Sequence, residues 1–340
     1  MHVPKTDLKA YVLEFTAAAK TPLELPRWPG SALRGALLGV LRRHYCPVPE
    51  GDDSTHTAIC PVCWLMAREN PQWRTGHTPV RPYTVAALGG QGRPMDHAVN
   101  GNAGWHRLEP GDTFTFRITL FGVAVNLLPY MVLAVPAMGQ LGLGRRLAER
   151  RGKRGQFALR RIEALNPLTG QRELIMKPGC HEIAMPTVFV DQAAIDAAAE
   201  RLLASLERGE VTVEFRSPTR LVEQGRLLKA PRFRPLFQRL MERVEGLAGE
   251  YAGGRPNWDY AALVEAAGRV RLVRNQTHWV EVKSGSRRTG RVTPLSGFVG
   301  QATYAADDWR PLLPVLLWGC VVQVGRNAVK GNGWISVRTA

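Results

Sequence analysis

The feature that most restricts the fold is one order of hydrophobic periodicities that occurs twice along the chain. Tyr11, Leu13 and Phe15 alternate with polar or small neighbours, the period of two expected of a strand with one buried face. After a proline-rich turn, Ser31 is the expected N-cap of a helix on which Leu33, Leu37, Val40 and Leu41 share one face, while Arg34, Arg42 and Arg43 lie elsewhere. Residues 83–85 form a short expected strand, and Phe114, Phe116, Ile118 and Leu120 alternate through TFTFRITLF. Residues 127–138 read as a buried helix in spite of Pro129 and Pro136, and residues 157–162 as a strand. The order is β-α-β-β-α-β.

The second half repeats it. A linking helix over 191–208 carries Ile195, Leu202, Leu203 and Leu206 on one face. Val211, Val213 and Phe215 then alternate, and Phe233, Leu236, Phe237, Leu240, Val244 and Leu247 follow helical spacing. Residues 270–282 and 298–304 read as a strand pair, 309–317 as a helix, and 319–336 as two apolar strands flanking a glycine-rich loop. Two such units predict an α+β chain of tandem ferredoxin-like domains, each an antiparallel sheet backed by helices. The expected boundaries are 1–190, with a cysteine-bearing insertion at about 46–80, then the linking helix at 191–208 and a second domain at 209–340. A length of 340 residues with 45% hydrophobic content is enough for two such cores.

Charge narrows the partner. Lys and Arg number 45 against 29 Asp and Glu, a net charge of +16 that draws polyanions, so nucleic acid is the expected partner. A membrane is not expected: no apolar run approaches the roughly 20 residues that span a bilayer, and the opening MHVPKTDLKAYVLEF lacks the apolar core of a signal peptide. Five unevenly spaced cysteines make no disulfide framework, which suits a reducing, cytoplasmic compartment.

Two basic glycine-rich segments are candidate phosphate sites. GLGRRLAERRGKRGQFALRR holds Arg145, Arg146, Arg150, Arg151, Lys153, Arg154, Arg160 and Arg161 against a single acid, Glu149. A solvated face normally mixes signs, whereas guanidiniums this dense suit the closely spaced phosphates of an RNA duplex. Near the end, GCVVQVGRNAVKGNGWIS offers Gln323, Gly325, Arg326, Lys330 and Gly331, in which exposed backbone N–H groups form an anion-binding nest beside two cations. A β-hairpin with a glycine turn and two solvated cations is the alternative. Trp334, next to this loop, is a candidate platform for base stacking. Neither segment matches a nucleotide-binding motif.

Cys46, Cys60 and Cys63 put a C-x-x-C pair within reach of a third thiol, and His56 completes a Cys₃His set for a structural zinc ion. Reduced thiols packed in a core are the alternative.

The segments PGSALRGALLGVLRR, RPYTV, PGDTFTFRITLFGVAVNLLPYMVLAVPAMGQLGLG, SPTRLVEQGRLLKAPRFRPLFQRLMERV and LLPVLLWGCVVQVGRNAVKGNGWISV, in this order, resemble the CRISPR pre-crRNA processing endoribonucleases of the RAMP superfamily, the Cas6 family. The likeness spans nearly the whole chain. It implies tandem RAMP-type, RRM-like ferredoxin domains, binding of the repeat hairpin of CRISPR RNA, and a cut 3′ of the stem that requires no cofactor. It also implies a catalytic histidine near or after the first helix of the first domain. His44, His56 and His77 stand there, His44 being favoured and His77 next. Where the family usually reads His-Val-Gly-Lys in the final glycine loop, this chain has Gln323-Val324-Gly325-Arg326, and glutamine cannot shuttle a proton. Two other readings follow: a non-catalytic crRNA-binding subunit that stays with other CRISPR effector subunits, and a zinc-dependent DNA-binding or scaffold protein.

Overall fold

The computed structural model describes residues 6–48, 54–68, 80–88, 104–177, 182–285 and 292–340. The chain divides into two compact units. One takes Tyr11–Leu165 with Gln171–Phe189, and the other takes the N-terminal residues up to Ala10, Asn166–Gly170 and Val190–Ala340.

The first unit contains β1 (Ala10–Ala19), β2 (Leu23–Pro26), α1 (Gly30–Tyr45), α2 (Ser54–Ile59), α3 (Pro61–Ala67), β3 (Tyr83–Leu88), β4 (Trp105–Leu108), β5 (Thr113–Phe121), α4 (Leu128–Leu141), β6 (Leu143–Leu147), β7 (Lys153–Gly155), β8 (Phe157–Leu165) and β9 (Arg172–Met176). Its main sheet runs β3-β5-β1-β8-β9. With β9 set aside, the strands stand second-third-first-fourth, the ferredoxin-like order. Strand β1 pairs antiparallel with β8, Phe15 opposite Ile162, and β3 with β5, Val85 opposite Ile118. Period-two alternation sends Phe15, Phe114, Phe116 and Phe157 into the core. There Phe15 and Phe116 stack with centroids 5.0 Å apart, and Phe114 meets Phe157 edge-on at 5.4 Å. Leu33, Leu37, Val40 and Leu41 of α1, together with Met131, Val132, Val135 and Met138 of α4, bury against them, each worth about 1.5–3 kcal/mol.

The opposite face of this sheet is charged. Glu14 and Glu163 face each other across β1 and β8. Arg117 lies 2.8 Å from the Glu14 carboxylate, and Arg172 lies 3.0 Å from both carboxylates. Burial by itself would push the Glu14 carboxyl up, but Arg117 and Arg172 outweigh it and hold the group below its ordinary value.

Two sequence expectations are corrected in this unit. The first helix begins at Gly30 with Pro29 at the cap, where the Pro29 carbonyl accepts from Leu33 N–H at 2.9 Å, so Ser31 lies inside the first turn. The expectation that no apolar run is long enough for a membrane also fails. The helical stretch Gly122–Leu141 has the length and composition to cross one. Half of that stretch is buried within the protein, and α4 packs on α1 and β8. A helix packed in a core is apolar nearly all round, which gives it the same length and composition as a membrane span.

The second unit contains α5 (Gln192–Ala204), β10 (Glu210–Thr219), β11 (Leu221–Glu223), β12 (Arg226–Leu228), α6 (Phe233–Tyr251), α7 (Tyr260–Arg269), β13 (Arg271–Val280), β14 (Lys283–Gly285), β15 (Val292–Pro294), β16 (Gly297–Ala305), α8 (Leu313–Val322) and β17 (Ile335–Thr339). Its sheet, β13-β16-β10-β17, repeats the second-third-first-fourth order. Helix α5, capped by the Asp191 carboxylate accepting from Ala194 N–H at 2.9 Å, packs within this unit: Trp318 Nε1 on α8 donates to Gln192 Oε1 at 3.1 Å. Phe233 of α6 meets Tyr304 and Trp309 at 5.1 and 5.6 Å, and the Tyr304 hydroxyl donates to the Pro231 carbonyl at 2.6 Å.

The strand expected at the start of the closing segment is the end of α8. Only β17 follows the loop, so the alternative of a β-hairpin is not formed. The run LLPVLLWGCVV is apolar at every position, and such a run carries no period by which strand and buried helix can be told apart. Gly319 lets the helix seat closely, since a Cβ there would meet Ile335 and Leu240 side chains at 2.8 and 2.9 Å.

Candidate nucleic-acid interface and cysteine cluster

The basic segment of the first unit is a small hairpin. Strands β6 and β7 pair with Leu143 opposite Gly155 and Leu147 opposite Lys153, and Arg151 turns the chain with φ +53°. Gly144, at φ +79°, lies so close to β2 that a Cβ would come within 1.9 Å of the Glu24 carbonyl oxygen. The eight cations divide by what they touch. Arg145 pairs with Glu24 and covers the Trp105 ring at 5.3 Å. Arg161 lies 2.9 Å from Glu163. Arg150 and Arg154 donate to the carbonyls of Arg154 and Gly144 and so brace the hairpin. Arg146, Arg151, Lys153 and Arg160 are exposed, Arg146 with one bond to the Gly152 carbonyl at 2.9 Å. The only acid of the segment, Glu149, is taken by Arg107 at 2.7 Å. The outward surface is therefore positive, and it stands on glycine-fixed backbone.

The C-terminal loop is arranged differently from the nest expected. The N–H groups of Val324, Arg326 and Gly333 donate to Gly333, Arg220 and Pro218 carbonyls at 2.8, 3.1 and 3.1 Å. Those of Lys330, Gly331 and Asn332 donate to Asn327, Ala328 and Asn327 carbonyls at 2.8, 3.0 and 3.3 Å. These amides lock the loop onto the end of β10 and do not converge on an outside anion. Gln323 is buried at the end of α8 with φ +61°, while Gly325 and Gly331 supply positive φ to the turns. Trp334 is 7% exposed and its ring is faced by the Arg216 guanidinium at 5.0 Å, so it is not an open stacking platform. Arg326 is the exposed cation of the loop, and Lys330 is half-buried.

The strand expected over residues 270–282 is β13, and its polar face carries a set of side chains that the strand period alone does not reveal. Pairing sets Arg274, Thr303, Thr212 and Arg338 in one row across the sheet, with Gln276, Gln301, Glu214 and Ser336 in the next. Thr212 and Thr303 hydroxyls lie 2.9 Å apart, and Arg338 donates to Gln301 at 3.1 Å. Residues 271–276 and His278 are exposed along this edge strand. The alternation of Arg274, Gln276 and His278 was the available signal.

His44 is exposed in the last turn of α1, its ring 6.2 Å from that of Tyr45. His77 lies outside the described residues, as does the 69–79 segment that carries it. Two residues beyond His44, Cys46 closes α1, its N–H donating to the Arg42 carbonyl at 3.3 Å. Cys60 caps α3 and Cys63 is fully buried one turn later. Cys46 Sγ lies 3.2 Å from His56 Nε2 and 3.7 Å from Cys63 Sγ, and the four candidate ligand atoms of Cys46, His56, Cys60 and Cys63 all lie within 4.8 Å of one another. Burial, the hydrogen bond with Cys46 and the nearby Cys60 push the Cys63 thiol up to about 12.

Residues 8–188 match the N-terminal domain family AF_1859_N, and residues 213–335 match the family described as CRISPR-associated endoribonuclease Cas6. No curated protein matches the chain. Among solved structures, Thermus thermophilus Cas6 has a TM-score of 0.53 at 14% identity, covering 99% of this chain and 100% of that one. A Cas6 product complex has a TM-score of 0.55 at 15% identity, covering 96% and 99%. A partial Cas6-RT-Cas1–Cas2 complex has a TM-score of 0.56 at 13% identity, covering 99% of this chain and 46% of that one. These likenesses bear out the tandem ferredoxin-like fold. The chain thus joins an AF_1859_N N-terminal domain over residues 8–188 to a domain of the CRISPR-associated endoribonuclease Cas6 family over residues 213–335.

Proposed function

We propose that the chain binds the repeat hairpin of CRISPR RNA in the cytoplasm and cuts it 3′ of the stem without a catalytic metal. The match of residues 213–335 to the Cas6 endoribonuclease family carries this reading. The exposed cations Arg146, Arg151 and Lys153 of the braced hairpin, with Arg160 on the following strand β8, support it, because they present positive charge suited to a phosphate backbone. In the proposed step a base takes the proton of a 2′-hydroxyl and the freed oxygen attacks the adjacent phosphorus. The bond from phosphorus to the 5′-oxygen breaks, and that oxygen takes a proton from an acid. The products are a 2′,3′-cyclic phosphate and a 5′-hydroxyl. His44 is the proposed base, since it stands exposed at the end of α1, where the resemblance implies a catalytic histidine, and His77 is the second proposed proton-transfer group. A non-catalytic crRNA-binding subunit is favoured by one observation: Gln323, at the position where the resemblance calls for histidine, is buried and does not titrate.

Removing three of the cations together tests the RNA-binding half of this reading. The Arg151→Ala/Lys153→Ala/Arg160→Ala variant is expected to bind the cognate hairpin more weakly, with a plot of log affinity against log salt shallower by about 2–3. Fluorescence anisotropy across a salt series measures it. A slope equal to that of the wild type would place the phosphate contacts elsewhere.

A further inference from the structure

We propose that Cys46, His56, Cys60 and Cys63 hold one structural zinc ion that ties the end of α1 to α2 and α3. The chain supplies these groups from the last residue of the α1 boundary, from α2, from the cap of α3 and from within α3. Folding brings them to one point. Zinc bonds of about 2.3 Å to sulfur and about 2.0–2.1 Å to nitrogen, arranged tetrahedrally, put two sulfurs about 3.8 Å apart and a sulfur and a nitrogen about 3.5 Å apart. The Cys46–Cys63 separation of 3.7 Å and the Cys46–His56 separation of 3.2 Å are close to those edges. All three sulfurs are buried. Three thiols packed for their apolar character alone give no reason for an imidazole nitrogen to turn onto the same point.

Four protein ligands close the coordination sphere, so this ion has no open position for substrate and acts on structure alone. Its effect is local: two helices too short to be stable alone are fastened to the turn that presents His44. The proposal is independent of the RNA reading, because metal content is measured without RNA.

The test uses the full chain, produced in zinc-supplemented medium and purified with a reductant. Elemental analysis is expected to find about one zinc per chain, with Cys63→Ser and Cys60→Ser each falling well below half of that and Cys320→Ser, on α8, keeping it. Cobalt(II) substituted into the wild type is expected to give the sulfur-to-metal charge-transfer and tetrahedral ligand-field bands of a thiolate-rich site. These two measurements on wild type decide the matter even if the cysteine variants fail to fold. A wild-type chain that carries no stoichiometric zinc and takes up neither zinc nor cobalt under reducing conditions overturns the proposal, as does equal zinc loss in Cys320→Ser.

Discussion

His44→Ala is expected to slow single-turnover cleavage of a cognate repeat hairpin by about 10²- to 10⁴-fold, the usual contribution of a positioned general base, while binding of the same RNA stays close to that of the wild type. The separation of the two effects follows from where the residue sits. His44 is exposed in the final turn of α1 and is not part of the buried core of the first unit. Its removal therefore belongs with surface substitutions, which usually change stability by less than about 0.5 kcal/mol. It is not one of the four groups around the proposed zinc, so metal content also stays unchanged. Single-turnover rates and filter binding on the same preparation check the prediction. If cleavage is unaltered, His77→Ala is the next variant, and a full rate in both would show that neither histidine moves the proton.

Gly333→Ala should be the most damaging single methyl group in the second unit. Gly333 has φ +75°, and a Cβ there would lie 1.8 Å from the Val324 carbonyl oxygen and 2.8 Å from its carbon. The opposing atoms are backbone, so no rotamer change relieves the clash. Gly333 itself donates to Pro218 at 3.1 Å and accepts from Val324 at 2.8 Å. Forcing them apart strains the left-handed backbone and breaks the loop's attachment to β10, a loss of about 3–5 kcal/mol, or a fall of roughly 10 °C in the thermal midpoint. Gly35→Ala is the contrast: it lies in α1 with ordinary φ and open space around the new atom, and it should leave the midpoint level or slightly raised. Calorimetry on the two variants distinguishes a packed loop from a slack one, because a slack loop tolerates Gly333→Ala as readily as Gly35→Ala.

The parts of the fold that could be read from the sequence were those in which one face is buried and the other wet. Phe114, Phe116, Ile118 and Leu120 alternate, and β5 forms where they do; α6 follows from the spacing of Phe233, Leu236, Phe237, Leu240, Val244 and Leu247. Elements buried all round were harder, since a uniform apolar run has no phase. For that reason the strand expected from Gly319 proves to be the end of α8. The cysteine set was legible by spacing, and folding gathers those four groups. The glycine loop misled because composition does not say where amides point: those of Val324, Arg326 and Gly333 are taken by carbonyls of the protein. Within the basic segment, counting cations did not separate the bracing Arg150 and Arg154 from the outward Arg151 and Lys153, a distinction set by the hairpin's carbonyls. The polar row of Arg274, Thr303, Thr212 and Arg338 depends on the register of three strand pairs, which no local pattern encodes.

The most direct measurement incubates zinc-loaded wild-type protein with its cognate repeat hairpin in buffer without divalent cations, EDTA being added with the RNA. The account predicts one cut on the 3′ side of the stem, with a 2′,3′-cyclic phosphate on the upstream fragment and a 5′-hydroxyl on the downstream one, identified by mass spectrometry. Tight binding of an uncut hairpin, or cleavage that appears only when magnesium is supplied, contradicts it.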